Sequence, residues 1–285
     1  MSEPGPAPDD ALDGALEDAL SAFCADDGAA LLVALDFDGV LAPLVDDPTA
    51  SRMLPATRRA VDRLGALAHD DGAAAGRARL AFVSGRDLAD LGARADPPVG
   101  AYVVGSHGAE TGHATADGCD TVPLELTAEQ GAALAGLTAA LDAVVVGRDG
   151  AWVQRKPSAA VLHTRQAGPV DSAAAIAGAD AAAEHYGLDA LHGKDVVEVA
   201  VLHTSKGEAL RRLRDVVADE LGATAVRVLY AGDDTTDERA FAVLGEGDLS
   251  LKVGSGDTLA GHRVPGPEHV ALVVDRVADA LTPTA

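Results

Sequence analysis

The chain reads as an α/β protein, a Rossmann-like parallel-sheet core interrupted by a small α+β insert. Three observations predict this. Short apolar runs alternate with helix-periodic stretches over 31–111 and again over 199–285, the pattern of right-handed crossovers between parallel strands. Several of those runs end in carboxylates or a serine, and the carboxyl ends of parallel strands are where open sheets keep their ligand sites. Over 112–198 the rhythm changes to paired short strands and two helices, as an inserted domain would give.

At 285 residues and 48% hydrophobic content the chain can fill a substantial interior, and with only 3% aromatics that interior must be built from Ala, Val and Leu. A formal net charge of −23 argues against nucleic acid or an anionic membrane as partner, since both need a basic face. No apolar run approaches the roughly 20 residues of a membrane span. Residues 1–10 are rich in Pro and Asp and lack a secretory pattern, so a soluble cytoplasmic protein, and by default a monomer, is expected. Cys24 and Cys119 lie far apart without metal-ligand spacing and receive no chemistry. Asp far outnumbers Glu and there are four lysines, Lys156, Lys194, Lys206 and Lys252. That bias suggests adaptation to high salt, where a dense carboxylate surface is screened. Lysines that survive it are candidates for a specific task.

Taken in order, an acidic tail leads into a helix whose apolar face carries Leu12, Leu16, Leu20 and Phe23, the two together occupying 1–30. The run 31–35 then reads as a strand buried on both faces, ending in Asp36-Phe37-Asp38-Gly39. An Asp-Gly turn is an equally good reading of that segment alone. A helix over 54–67 with Pro55 in its first turn follows. The strand 79–83 ends in Ser84-Gly85-Arg86-Asp87 before a helix reaching Leu91, and the strand 101–104 ends in Gly105-Ser106-His107-Gly108-Ala109-Glu110. In the insert, helices are expected over 127–141 and 170–186, a strand pair over 151–156 and 159–165, and two further strands within 188–201. The first rhythm returns with a helix over 205–221 that opens on Lys206. After it comes a strand over 226–230 running into Gly232-Asp233-Asp234-Thr235-Thr236-Asp237-Glu238. A helix over 238–244, a strand over 249–253 and a helix over 267–281 complete the chain.

In a parallel sheet these strand ends share one edge, so Asp36, Asp38, Ser84, Asp233, Asp234 and Asp237 can converge. Carboxylates crowded in one small volume repel by kilocalories per pair at an effective dielectric of about 20. A divalent cation resolves that repulsion, and oxygen-only ligands favour Mg2+. Lys206, Ser84 and backbone N–H groups near Gly39 would surround a phosphoryl group with positive charge and donors. Asp36 is then the in-line nucleophile that forms an aspartyl-phosphate, and Asp38 the acid that protonates the leaving alkoxide and later activates water. That role requires Asp38 partly protonated near neutral pH, which desolvation would favour.

The four motifs Asp36-x-Asp38-Gly39-Val40, Ser84, Lys206 and Gly232-Asp233-Asp234-x-x-Asp237 resemble those of the haloacid dehalogenase superfamily of phosphatases. Val40 stands where many members have Thr. The segments 83–87, Gly105-x-His107-Gly108-Ala109-Glu110, Ser205-Lys206-Gly207-x-Ala209-Leu210 and 232–238 further resemble the trehalose-6-phosphate phosphatase family. The insert looks like that family's cap: Lys156 stands nine residues before Arg165, in a segment similar to Glu-x-Lys…His-Tyr-Arg, and Gly193-Lys194-x-x-x-Glu198 ends eight residues before Lys206. Three departures stand out. Gln154 replaces the usual Glu, Thr164 replaces the Tyr of His-Tyr-Arg, and Ala200-Val201 replaces a frequent Arg-Pro.

The resemblance implies Mg2+-dependent hydrolysis of trehalose 6-phosphate, with a trehalose-6-phosphate synthase as a candidate partner. Gly39, Arg86, His107, Glu110, Lys156, Arg165, Lys194 and Glu198 would then bind substrate, and His163 would support the pocket as a strand residue. The cap would be drawn onto the core to exclude water. Other readings are a capped phosphatase for sucrose phosphate or mannosyl-phosphoglycerate, a phosphate-responsive receiver module, and a catalytically silent subunit of trehalose synthesis. A receiver has no use for the second acid of Asp36-x-Asp38, and a silent subunit none for intact Asp36, Asp38, Lys206 and Asp233.

Overall fold

The computed structural model describes residues 11–25, 27–45, 47–69, 72–122, 125–202 and 204–283. The tail expected over 1–10 lies outside them. The chain divides into two units, Met1–Val122 with Thr204–Ala285, and Pro123–His203. No helix among the described residues is long and apolar enough to cross a membrane.

In chain order the first unit supplies β1 (Ala30–Leu35), β2 (Ala78–Val83), β3 (Tyr102–Gly105), β4 (Glu110–Thr115) and β5 (Gly118–Val122). The second supplies β6 (Trp152–Arg155), β7 (Ala159–His163), β8 (Ala190–Gly193) and β9 (Val196–Ala200), and the first resumes with β10 (Val226–Gly232), β11 (Leu249–Val253) and β12 (His262–Val264). The helices are α1 (Gly14–Phe23), α2 (Pro55–Ala68), α3 (Leu88–Ala95), α4 (Ala128–Val145), α5 (Pro169–His185), α6 (Lys206–Leu221), α7 (Glu238–Phe241) and α8 (Pro267–Leu281).

The first unit is built on an eight-stranded sheet in the order β12-β11-β10-β1-β2-β3-β4-β5. The pairs from β12 to β3 are parallel and the last two antiparallel. Every residue of β1 is buried. Because side chains alternate across a strand, Leu31, Val33 and Leu35 join the core formed with α1, α2 and α8, whereas Ala30, Leu32 and Ala34 join the one formed with α6 and α7. Continuing that alternation assigns Asp36 to the α6 face and Phe37 to the opposite one. The residue that starts α6 is Lys206, so the strand's period of two already determines which cation the first carboxylate meets.

Asp13, Asp87 and Ser205 cap α1, α3 and α6 by accepting from backbone N–H groups of the first turn. Gly222, at φ +60°, ends α6 in the left-handed conformation that glycine tolerates.

The second unit is a four-stranded antiparallel sheet, β6-β7-β9-β8, with α4 and α5 packed on one face through Leu137, Leu141, Ala175 and Ala179. The sequence reading opens the insert at 112 and closes it at 198, whereas this unit opens at Pro123 and closes at His203. The reason is hydrogen bonding: β4 and β5 extend the core sheet from β3, and β9 pairs with both β7 and β8. The polar run 110–122 hides its strand character because β5 is an exposed edge. β12 was not anticipated either; of its three residues only Val264 is buried.

Candidate active site

The ends of β1, β2 and β10 are adjacent in the sheet, and a cleft of about 590 Å3 in the first unit opens there. Its lining includes Asp36, Asp38, Ser84, Arg86, His107, Lys206, Asp233 and Asp234. A larger cleft of about 800 Å3 lies beside α3, lined by Arg52, Arg58, Arg94 and Glu110, and contains none of Asp36, Asp38, Asp233, Asp234 and Asp237.

The Lys206 ammonium donates to Asp36 Oδ2 at 2.6 Å and to Asp237 Oδ1 at 2.7 Å, and all three side chains are buried. Asp36 Oδ1 accepts from the Phe37 N–H at 2.6 Å. Asp237 accepts four hydrogen bonds: Lys206 and the Tyr230 hydroxyl (2.6 Å) on Oδ1, and the N–H groups of Asp233 and Asp234 (each 2.9 Å) on Oδ2. That uses the acceptor capacity of a carboxylate and fixes the loop bearing Asp233.

Burial pulls the Lys206 ammonium down, but Asp36 and Asp237 beside it outweigh this and hold it above the ordinary lysine range. Burial pushes Asp36 up despite the attraction of Lys206, with Asp237 adding to the rise. Burial, then Asp237, pushes Asp233 up to about 6. Acid and base thus both move up for different reasons: two carboxylates favour the Lys206 cation, while burial, more than the charge balance, disfavours the ionised Asp36.

Oxygens of Asp36, Asp233 and Asp237 lie within 4.8 Å of one another. Three carboxylates around one ammonium leave surplus negative charge, and with Asp237 saturated by four donors, Asp36 and Asp233 are the oxygens left to suit a divalent cation with oxygen preference. Gly39 preserves the space. Its φ is +74°, and a Cβ there would fall 1.9 Å from Asp233 Oδ2. Asp38 and Asp234 belong to the predicted ligand set but lie outside this triad. Asp234 caps the turn 235–237 through the Thr235 N–H and hydroxyl, the latter at 3.1 Å.

Asp38 is gripped instead by Arg86, whose Nε donates to Oδ2 at 2.6 Å and whose second amino group donates to Oδ1 at 2.8 Å, while the buried Ser51 hydroxyl adds a bond to Oδ1 at 2.8 Å. Arg86 also donates to Asp90 Oδ2 at 2.6 Å and to the Pro48 carbonyl at 3.0 Å. Its guanidinium lies 5.6 Å from the Phe37 ring centroid. Arg86, expected to bind substrate, is thus committed to Asp38 and Asp90. Ser84 is buried, and its Oγ accepts from the Arg86 N–H at 3.2 Å. His107 has a left-handed backbone (φ +53°) and packs over Gly85, where a Cβ would lie 2.5 Å from the ring. Glu110, expected to orient a sugar, accepts from the Ser106 hydroxyl (2.5 Å) and the Leu88 N–H (3.2 Å), tying the β3 end to the start of α3.

In the second unit Lys156 pairs with Glu198 at 3.0 Å, and Arg165 and Lys194 are exposed. Gln154 Oε1 lies 3.0 Å from His163 Nε2, and Trp152 stacks on His163 with centroids 4.1 Å apart and 6° between planes. Thr164 is buried, its N–H (2.9 Å) and hydroxyl (3.3 Å) both donating to the Asp195 carbonyl.

Sequence reasoning missed Ser51, Asp90, Tyr230 and Lys252 at the first-unit site. Lys252, singled out by lysine scarcity but without an assigned place, is buried and donates to the Asp233 carbonyl. Asp90 stands four residues after Arg86 and four before Arg94, and on a helix that spacing makes one carboxylate serve two guanidiniums. Ser51 carries no local signal.

The trehalose-phosphatase family profile matches residues 34–260. A trehalose-phosphate phosphatase of Mycobacterium marinum is 31% identical over 282 residues, covering 94% of this chain and 67% of the relative, so the chain spans about two thirds of that protein's length. Among solved structures, trehalose-6-phosphate phosphatase of Aspergillus fumigatus superposes with a TM-score of 0.65 at 23% identity, covering 94% of this chain and 98% of that one. The C-terminal domain of a trehalose synthase regulatory protein of Candida albicans superposes at 0.61 with 14% identity, covering 91% and 97%. Both likenesses are of fold alone.

Proposed function

Because the chain belongs to the trehalose-phosphatase family of phosphoric monoester hydrolases, we propose that it hydrolyses trehalose 6-phosphate to trehalose and phosphate with Mg2+ as cofactor. The same fold occurs in a phosphatase and in the C-terminal domain of a regulatory protein, so fold alone does not distinguish an enzyme from a regulator, whereas the site does. The observation that carries it is the buried Asp36–Lys206–Asp237 arrangement at a cleft that also holds Asp38, Ser84 and Asp233. A silent subunit would have no reason to bear the cost of burying two carboxylates and an ammonium.

In this reading an Asp36 oxygen attacks phosphorus in line. The phosphorus–oxygen bond to the sugar breaks, its electron pair leaves on the sugar oxygen, and that oxygen takes a proton from Asp38. Asp38 then removes a proton from water as the water oxygen attacks phosphorus, which releases phosphate and restores Asp36. Lys206 and Ser84 donate to the phosphoryl oxygens throughout. Asp36 and Asp233 would hold the cation, with Asp237 anchoring Lys206 and the Asp233 loop. When bound, the cation neutralises the surplus carboxylate and phosphoryl charge. The insert supplies substrate specificity through Lys156, Arg165, Lys194 and Glu198, with hydroxyl and phosphate recognition by charge-assisted hydrogen bonds. A synthase of trehalose 6-phosphate is the source of substrate, and the cytoplasm the compartment.

The test is phosphate release from trehalose 6-phosphate, sucrose 6-phosphate and mannosyl-phosphoglycerate, with Mg2+ and with chelator. Preference for trehalose 6-phosphate, lost on chelation, supports the proposal; preference for either other ester, or no release from any, overturns it.

A further inference from the structure

Asp38 follows β1 in a loop, where neither helix nor strand fixes its side chain, yet three donors hold it from two sides. A carboxyl group offers four acceptor positions. Arg86 and Ser51 fill both positions on Oδ1, and Arg86 Nε fills one on Oδ2. Among the described bonds, one position remains, on Oδ2. A proton carried by Asp38 is therefore confined to one oxygen and one direction.

The guanidinium is oriented in turn. Asp90 Oδ2 takes its remaining amino group at 2.6 Å, and Asp90 Oδ1 takes Arg94 Nε at 2.6 Å, so Asp90, on α3, is itself held between Arg86 just before that helix and Arg94 in its last turn. The Arg86 side chain is only 12% exposed, which leaves the fork little room to swing. A planar fork with both edges engaged has one orientation, unlike a lysine ammonium.

Building on the phosphatase reading, we propose that Ser51, Arg86 and Asp90 are positioning residues for leaving-group protonation: Ser51 and Arg86 cradle Asp38 directly and Asp90 sets the plane of Arg86, so the proton leaves from a single site on Oδ2. None of the three is required to touch the substrate. Misaligning a proton donor penalises departure of a basic alkoxide and spares departure of a phenolate, which needs no proton.

The experiment compares kcat/KM, which reports the steps through transfer to Asp36, for trehalose 6-phosphate and p-nitrophenyl phosphate in the wild type, Asp90→Asn, Asp90→Glu, Ser51→Ala and Ser51→Thr. General acid catalysis contributes about 10²–10⁴-fold, so losing alignment should cost Asp90→Asn and Ser51→Ala about 30-fold on the sugar ester and under about 3-fold on the aryl ester. Ser51→Thr, which keeps the hydroxyl, should recover most of the loss, and Asp90→Glu part of it. Equal losses on both esters, or none on either, would overturn the proposal. Should Asp90→Asn fail to fold, the Ser51 pair decides alone. If the wild type ignores trehalose 6-phosphate, the functional reading falls first; the comparison is then run with whichever alkyl phosphate from the panel it does hydrolyse.

Discussion

The two sheets of this protein handle charge in opposite ways. In the eight-stranded sheet β1 is buried on both faces, and the charges at its end are locked to named partners: Lys206 buried between Asp36 and Asp237, and the half-buried Asp38 in the fork of Arg86. In the four-stranded sheet β9 alternates between buried and half-buried residues, and its unit leaves Arg165 and Lys194 exposed, with Lys156 and Glu198 paired but half-buried. One region fixes its charged groups in single orientations; the other presents long side chains that retain rotamer freedom in solvent. Electrostatic preorganisation in a water-poor site is worth more than the same charges in solvent.

Substitutions should separate the two regions sharply. The largest effect is expected at Asp36: Asp36→Asn should abolish phosphate release while circular dichroism and the unfolding midpoint change little, and any measurable turnover would refute its role as nucleophile. Next comes Lys206→Met, which leaves two buried carboxylates without their cation and should destabilise by about 3–5 kcal/mol in urea unfolding. Lys156→Ala, Arg165→Ala and Lys194→Ala should each raise KM for the sugar phosphate about tenfold with stability unchanged within about 0.5 kcal/mol. If any of these three also lowered kcat on p-nitrophenyl phosphate, the division between preorganised chemistry and solvated recognition would not hold.

A smaller effect links protons to metal. Burial and Asp237 raise Asp233 from 3.8 to about 6 in the fold. The folded protein therefore binds this proton more tightly than the unfolded chain does. Its contribution is fully present below about pH 4 and is lost as pH rises through about 6. Mg2+ requires the ionised carboxylate, so the increase in Tm given by excess MgCl2 should grow from about pH 5 to about pH 7.5. An increment that shrinks over that range would remove Asp233 from the ligand set. The smallest expected effect is a rise in Tm of a few degrees between low and molar KCl, as the −23 charge is screened.

Legibility in the sequence followed the same division. Core strands that are buried on both faces, such as 31–35, announce themselves as apolar runs, and their polar ends mark the edge where the acidic cleft opens. Strands at and next to an exposed border do not: 110–115 and 118–122 carry Thr, His, Asp and Gly because β4 is only partly buried and β5, the edge, is almost wholly exposed, which gives them the polar pattern of the insert. Within the site, residues in recognisable spacings were found, whereas Ser51 was not, because a serine in a loop reveals its partner only when the chain brings it to Asp38 across 13 positions. Arg86 lines the cleft, and what its position in the sequence does not reveal is that Asp38 and Asp90 engage both edges of its guanidinium.

The glycine at position 39 has a practical corollary. Since an added methyl group would sit 1.9 Å from Asp233 Oδ2 on a backbone already at φ +74°, Gly39→Ala would jam the entrance to the acidic nest without altering any ionisable group. Such a variant would be a charge-neutral blank for ion-uptake calorimetry, distinguishing heat from occupancy of the nest from heat of ions condensing on the strongly acidic exterior.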